Sequence, residues 1–177
     1  MRVNRQFSAY VLVLTWLFAC AAAFWWFEFR YIDQFDNNLT SFNGQPLKAL
    51  KLEPSANQLA LVVHFVDPDC PCSRFSAPHI ADLERTFNGL VEFRQWSKTD
   101  ERPYSLSIPA SPAVAIWTNT GALAYFGPYS SGAICGKGDD LVTSTLNKLH
   151  QGYNPEWINN DTVGCFCPWH NPEEIKS

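Results

Sequence analysis

The stretch that most constrains this chain is a pair of cysteines between an apolar run and a helix-like segment. Residues 59–66 form a near-continuous apolar run, which is typical of a strand buried on both faces of a sheet. Apolar residues at helical spacing predict a helix over 73–87, and Cys70 and Cys72 lie between the two. At a helix start the positive end of the helix dipole stabilises a thiolate. This pattern predicts reversible thiol–disulfide chemistry at an exposed Cys70 sulfur.

Length and composition allow one domain of ordinary size plus an appendage. The chain has 177 residues, and 46% of them are hydrophobic, so it can build a buried core. Its formal net charge is −4, which gives no support to nucleic-acid binding. The sequence has no motif for an organic cofactor, so we expect none, and it does not indicate an oligomeric state.

The N-terminus predicts a membrane helix. Residues 7–27 carry no charge. At about 1.5 Å of rise per residue this run is about 30 Å long, enough to cross the core of a bilayer. Arg2 and Arg5 precede it, and basic residues of this kind stay on the cytoplasmic side. We therefore predict an uncleaved single-pass anchor over 1–30, with the chain from about residue 31 outside the cytoplasm.

Two other interpretations of this N-terminus stay open. A cleaved signal peptide has a shorter apolar region and a site of small residues followed by polar sequence, whereas here the apolar run continues past 21–23. A lipoprotein signal would place the lipidated cysteine after a short box, and 17–20 partly fits with Cys20 as that cysteine. The bulky Phe18 and the apolar stretch after Cys20 disfavour it.

The cysteines outside the predicted membrane helix are odd in number. They are Cys70, Cys72, Cys135, Cys165 and Cys167. At least one thiol therefore lacks an intrachain partner or cycles, and outside the cytoplasm disulfides persist. Cys165-Phe166-Cys167 repeats the one-residue spacing. Three interpretations remain open: a structural disulfide pinning the tail, such as one from Cys135 to either residue, a second redox pair exchanging with Cys70 and Cys72, or a metal clip.

The rest of the chain divides into a polar linker over 31–46, a compact domain over 47–152 and a cysteine-containing tail over 153–177. Within the domain the patterns predict, in order, an edge strand at 47–52, a strand at 59–66, a helix at 73–87, a strand at 91–96, a hairpin of 113–117 with 122–126, and a helix at 139–150.

This order resembles the thioredoxin-like superfamily. In that family a proline follows the first cysteine by eight residues and kinks the helix, as Pro78 follows Cys70 here. A second proline, in a cis peptide bond, precedes a hairpin strand, as Pro112 follows Ser111 here, with Pro109 as the rival position. The resemblance covers about 47–150 and is closest to membrane-anchored bacterial proteins. It implies an α/β domain with a central sheet flanked by helices, preceded by one transmembrane helix, in the periplasm at the inner membrane.

The cysteine spacing departs from the family motif, Cys-x-x-Cys. Alignment on Pro78 places Ser73 where the resolving cysteine usually stands, so the motif here is Cys-x-Cys-Ser. The resemblance implies that Cys70 is the nucleophile and that Cys72 resolves, although a distant thiol can also do so. A disulfide closed across one residue is strained and easily reduced, which favours an oxidant or isomerase over a strong reductant.

Three other residues take roles from the resemblance. Ser111 and Pro112 position the partner chain, and the proline keeps metals from the thiolates. His64 stands where the family often has a buried acid, and a histidine can relay a proton during exchange. The alternative for His64 is a hydrogen-bonded core residue. His79 is expected to pack on the helix surface, with a metal ligand as the alternative.

We therefore expect a membrane-anchored thiol–disulfide oxidoreductase that acts on protein thiols or disulfides through a mixed disulfide at Cys70. One alternative is a copper-binding or metallochaperone module, because soft thiolates favour Cu(I). The other is a redox-inactive domain whose cysteines form only stabilising disulfides. The sheet and helices alone do not choose among them, because one fold hosts many functions.

Overall fold

The structure is a computed structural model of the whole chain. It describes residues 5–28, 32–36, 42–55, 57–99, 106, 108–131 and 138–169. The chain divides into two compact units, Met1–Ile32 and Asp33–Ser177.

The first unit is a single long helix, α1 (Arg5–Glu28). The side chains of residues 6–27 are all exposed, and most of them are apolar. Water solvates such a surface poorly, so the helix needs lipid or another apolar partner around it. By length and composition Gln6–Phe27 can cross a membrane, and a signal sequence near an N-terminus has the same properties.

The second unit is a mixed α/β domain. Its elements are β1 (Ile32–Gln34), α2 (Gln45–Leu50), β2 (Ala60–Val66), α3 (Pro71–Thr86), β3 (Val91–Ser97), β4 (Ala110–Ser111), β5 (Ala113–Thr118), β6 (Leu123–Gly127), α4 (Leu141–His150), β7 (Trp157–Ile158), β8 (Val163–Cys165) and β9 (Cys167–Pro168). Five strands form the central sheet in the order β3-β2-β5-β6-β7, and two short pairs, β1 with β8 and β4 with β9, lie outside it. The sheet is parallel at β2–β3 and β6–β7 and antiparallel at β2–β5 and β5–β6.

Strand β2 is apolar on both faces because each face of the sheet is covered. Its side chains alternate between two hydrophobic clusters, with Leu61, Val63 and Phe65 in the first and Ala60 and Val62 in the second. Helices α3 and α4 supply most of the second cluster's cover. The first cluster is covered by the segment before β2 and by the C-terminal tail, so the two ends of the domain meet over one face of the sheet.

The long elements that the sequence predicted are confirmed to within a few residues, but the edge strand predicted at 47–52 is wrong. A short helix, α2, forms there instead. Pro46 lies in its first turn, where the fixed φ of proline suits a helix and its missing N–H costs nothing. Leu47 is fully buried in the first cluster. A run of six residues is too short for its apolar pattern to separate strand from helix.

The segments that the sequence separated as linker and tail both contribute to the core. Phe35 from the first and Trp169 from the second are each 1% exposed and belong to the same cluster. The strands that these two segments form, β1, β7, β8 and β9, are only two or three residues long. An alternation of apolar and polar residues cannot be recognised over such lengths.

The turn between β5 and β6 requires glycine for two reasons. Gly121 has φ +76, and a Cβ there would lie 3.1 Å from the carbonyl oxygen of Lys51. Gly89 has φ +77 with no atom within 4 Å of its Cβ position, so it is a matched control.

We predict that Gly89→Ala lowers the free energy of unfolding by about 1 kcal/mol, the cost of the left-handed backbone. Gly121→Ala lowers it further because of the contact with Lys51. Urea unfolding of the full chain in detergent micelles measures both, and equal losses would contradict the close approach.

Candidate functional site

Four cysteines join the start of α3 to the C-terminal tail through two disulfides. Cys70 is bonded to Cys167, with a Cα–Cα distance of 6.0 Å, and Cys72 to Cys165, with a Cα–Cα distance of 5.6 Å. The two Cys-x-Cys segments are therefore paired in antiparallel fashion. Each bond closes a loop of similar size, with sequence separations of 97 and 93 residues.

Cys70 is the N-cap residue of α3, as its position in the sequence predicts. Pro71 follows at the first helical position, where proline favours helix initiation. The positive end of the helix dipole therefore lies at the Cys70 sulfur. The expectation that this sulfur is exposed is wrong. Cys70 is 2% exposed and Cys72 is fully buried, because the tail is bonded to both.

The peptide bond between Ser111 and Pro112 is cis, as expected, and the bond before Pro109 is not among the cis bonds. The carbonyl oxygen of Ser111 lies 3.9 Å from the Cys70 sulfur. A disulfide sulfur has no proton to donate, so this is a polar contact rather than a hydrogen bond. The roles of Ser111 and Pro112 in positioning a partner stay predictions, but both lie beside Cys70.

The tail runs alongside the strand that precedes the cis proline. Strand β9 pairs with β4 in antiparallel fashion, which places Cys167 opposite Ser111 and Pro168 opposite Ala110. The backbone N–H of Trp169 donates a hydrogen bond to the carbonyl oxygen of Pro109, at 3.3 Å. Cys167 thus reaches Cys70 from an extended segment held by backbone pairing.

Two aromatic side chains fix the tail on either side of Cys167. Phe166 packs edge-on against Phe35, with ring centroids 5.2 Å apart. Trp169 packs edge-on against Phe65, with ring centroids 5.9 Å apart. Both belong to the first hydrophobic cluster. The sequence analysis missed these two residues, although aromatic residues flanking a cysteine in an otherwise polar tail were a usable signal.

His64 lies buried in β2 between two aromatic rings. Its ring stacks on those of Phe93 and Tyr129, each with a centroid distance of 5.6 Å, and its Nδ1 lies 2.7 Å from the Tyr129 hydroxyl. Burial, and then the nearby charge of His79, lowers the pKa of His64 to about 4. Among the described residues no hydrogen bond joins His64 to a cysteine sulfur. These contacts are those of a core histidine, and a proton relay through His64 stays a prediction.

His79 links helices α3 and α4. Its Nε2 lies 3.7 Å from the Asp140 carboxylate, and the interaction with that carboxylate is the main reason that the pKa of His79 is raised. Its ring also meets Tyr129 edge-on, with centroids 6.0 Å apart. His79 therefore packs between helices, as expected, and it is not in the cysteine cluster described next.

Three cysteine sulfurs lie close enough together to coordinate one metal ion. The sulfur atoms of Cys70, Cys72 and Cys167 all lie within 4.8 Å of one another. In the described part of the chain this is the only group of three or more potential metal-ligating side chains found. The cluster contains no histidine, and Cys165 lies outside it.

Two cysteines remain, Cys20 and Cys135. Cys20 lies exposed on α1 with a free thiol. Cys135 falls outside the described residues. A bond from Cys135 to Cys165 or Cys167, the example given for the structural interpretation of the tail cysteines, is not formed, because both of those sulfurs are bonded at the start of α3.

Comparison with known proteins identifies the family. The model of a domain of unknown function, DUF6436, matches residues 39–169, and the chain belongs to this family. A search of the curated proteins found no match to the chain. The matched region begins after α1 and includes both Cys-x-Cys segments and the cis proline.

The low pKa of His64 predicts a pH dependence of stability. The folded chain holds this histidine neutral down to about pH 4, whereas in the unfolded chain it takes up a proton near pH 6.5. The contribution of His64 to stability is therefore complete above about pH 6.5 and is lost as the pH falls toward 4. We predict that His64→Gln removes about 2 kcal/mol of the stability loss between pH 7 and pH 5. Urea unfolding of both proteins in detergent at the two pH values gives the difference, and parallel pH profiles would contradict the prediction.

Proposed function

We propose that the protein is a membrane-anchored thiol–disulfide oxidoreductase with a thioredoxin-like domain, active on protein thiols in the bacterial periplasm. One observation carries the proposal. Cys70, at the start of α3, is bonded to a cysteine on an extended segment that pairs with the strand before the cis proline. In this interpretation the arrangement is an internal version of the mixed disulfide that such an enzyme forms with a substrate.

The order of the elements supports the thioredoxin-like interpretation. A parallel strand–helix–strand unit (β2, α3, β3) is followed by two antiparallel strands (β5, β6) and a helix (α4). Both helices pack on the same face of the sheet. The cysteine at the start of α3 and the cis proline before β5 are further features in favour of this interpretation.

The first step of the proposed reaction begins at Cys167, which is half-buried and so the more exposed residue of its pair. A thiolate of a substrate dithiol attacks the Cys167 sulfur, the Cys70–Cys167 bond breaks, and Cys70 keeps the electron pair as a thiolate. The positive end of α3 stabilises that thiolate and makes it a good leaving group. The second substrate thiolate releases Cys167, which takes a proton from water. The substrate has then lost two electrons and two protons, and the disulfide has become a dithiol.

The second step uses the freed Cys70 as a nucleophile. Its thiolate attacks the disulfide of another protein and forms a mixed disulfide at Cys70. Cys167 then attacks the Cys70 sulfur, restores the Cys70–Cys167 bond and releases the second protein as a dithiol. One substrate is oxidised and one is reduced per cycle. A stabilised leaving thiolate makes the pair easy to reduce, so the oxidant or isomerase direction is favoured.

The second disulfide has a place in this scheme. The Cys72 sulfur lies within 4.8 Å of both Cys70 and Cys167. Cys72 does not act as the resolving cysteine in this scheme, unlike the expectation from the resemblance, because it stays bonded to Cys165. That bond keeps the tail beside the reacting pair while the Cys70–Cys167 bond opens and closes.

Removing one whole disulfide at a time separates this mechanism from a purely structural role. We predict that the double variant Cys70→Ala/Cys167→Ala lowers kcat/KM for oxidation of a dithiol protein substrate at least 100-fold. The matched control is Cys72→Ala/Cys165→Ala, which opens a loop of nearly the same size and so loses similar stability. This control should keep kcat/KM within about tenfold of the value for the unaltered protein.

The rate is measured for each full-length variant with purified substrate, by quenching samples over time and counting the substrate thiols that remain. Equal losses in the two variants would contradict the proposal. If both disulfides resist reduction at about −300 mV, their role is structural only.

The cysteine cluster favours a second candidate function, the binding of a soft metal. The sulfurs of Cys70, Cys72 and Cys167 lie within 4.8 Å of one another while both disulfides are closed, and reduction of both bonds would turn them into thiolates. Soft thiolates favour Cu(I), and they also bind zinc and iron–sulfur clusters. The buried cluster would shield the ion from water.

This candidate predicts one Cu(I) per reduced chain. Cys167→Ser removes a ligand and should weaken binding at least tenfold, whereas Cys165→Ser is the matched control outside the cluster and should leave it unchanged. Competition with a chromogenic Cu(I) chelator measures the affinity. Equal effects of the two variants would exclude the three-sulfur site.

A further inference from the structure

The tail fills a groove that runs past the Cys70 sulfur. The segment from Phe166 to Trp169, called here the docked segment, pairs with β4 through Cys167 and Pro168. Its cysteine is bonded to Cys70, and its tryptophan is 1% exposed. The groove therefore has two distinct parts, a sulfur at the start of α3 and an aromatic pocket two residues further along.

We propose that this groove is the binding site for the substrate polypeptide and that the docked segment occupies it as an internal stand-in. The substrate class is an extended chain with a cysteine followed two residues later by a large aromatic side chain. This inference rests on the proposed function, and it adds a sequence preference that thiol–disulfide chemistry alone does not require.

The aromatic pocket is built into the domain rather than formed by the tail alone. Trp169 packs on Phe65, which is fully buried in β2, and Phe65 also packs edge-on against Trp96. In an extended chain residues i and i+2 point to the same side. A side chain two residues after the bonded cysteine is therefore directed at this pocket.

The backbone of the groove accepts a strand of any sequence. β4 pairs with β9, and the carbonyl oxygen of Pro109 accepts a hydrogen bond from the backbone N–H of Trp169, the second residue after the cysteine. The Lys98 amine donates a hydrogen bond to the Pro168 carbonyl oxygen, at 3.4 Å. These contacts use main-chain atoms of the docked segment, so a substrate strand can replace them and its side chains decide the preference.

The docked segment can leave without the rest of the tail. Cys165 is bonded to Cys72 and lies in β8, which pairs with β1. Opening the Cys70–Cys167 bond therefore releases only the residues after Cys165. While that bond is closed, the docked segment competes as an intramolecular ligand at high effective concentration. A substrate enters once it is open.

The test uses the full chain in detergent and a pair of synthetic peptides. The protein carries Cys167→Ser, which frees Cys70 and keeps the Cys72–Cys165 tether, together with Trp169→Ala, which empties the pocket. The peptides are Gly-Ser-Phe-Cys-Pro-Trp and Gly-Ser-Phe-Cys-Pro-Ala, each joined through its cysteine to thionitrobenzoate. The Cys70 thiolate attacks the peptide sulfur, a protein–peptide disulfide forms, and coloured thionitrobenzoate leaves as a thiolate. Its absorbance gives the rate at Cys70 after subtraction of the signal from the same protein with Cys70→Ser added, which reports Cys20 and any other free thiol.

We expect the tryptophan peptide to react at least tenfold faster than the alanine peptide, with saturation. In Cys167→Ser alone, where Trp169 still fills the pocket, the preference should shrink. Should the double variant fail to fold, the single variant still tests the inference, because excess tryptophan peptide must compete with the tethered segment and react faster than the alanine peptide.

Two outcomes overturn the inference and are distinguishable. Equal rates for the two peptides remove the aromatic pocket as a determinant but leave the thiol–disulfide function intact. No reaction with either peptide, in a protein whose Cys70 still reacts with a small disulfide reagent, removes the groove and the proposed function together.

Discussion

The bond between Cys70 and Cys167 is the contact on which the rest of the site depends. It brings the C-terminal tail onto the start of α3 and closes the groove beside the cis proline. It also accounts for the burial of Cys70 at the N-terminus of that helix. In the proposed function, opening this bond frees Cys70 as a thiolate next to the positive end of the helix dipole.

The two clusters of the core explain why the bond lies at that place. One face of the sheet is covered by helices α3 and α4 in the ordinary way. The other face is covered by the segment before β2 and by the tail, with Phe35 and Trp169 as anchors. The two disulfides therefore lie on the side of the sheet where the core is covered by an extended segment of chain rather than by a helix.

The sequence was sufficient for the elements that repeat a pattern over many residues. β2, α3 and β5 were predictable because their apolar residues recur at strand or helix spacing, and Cys70 followed as the N-cap of α3. α2 was missed because six residues do not define a period, although Pro46 signalled a helix start.

The closed state of the site was not predictable from the sequence. Which cysteine bonds to which depends on contacts between residues more than ninety positions apart, and spacing alone leaves the pairing open. The burial of Cys70 follows from that pairing, so it was missed as well. His64 was correctly placed on a buried strand, but its Tyr129 partner lies in a loop without a recognisable pattern.

The most direct test of the central claim is a map of which thiols appear as the full chain is reduced stepwise by a dithiol. Alkylation and mass spectrometry at each potential identify the opened bonds. The account predicts that Cys70 and Cys167 are labelled first, at a potential well above about −300 mV, while Cys72 and Cys165 remain bonded. Labelling of Cys72 and Cys165 first, or of no cysteine in the domain at that potential, would contradict it.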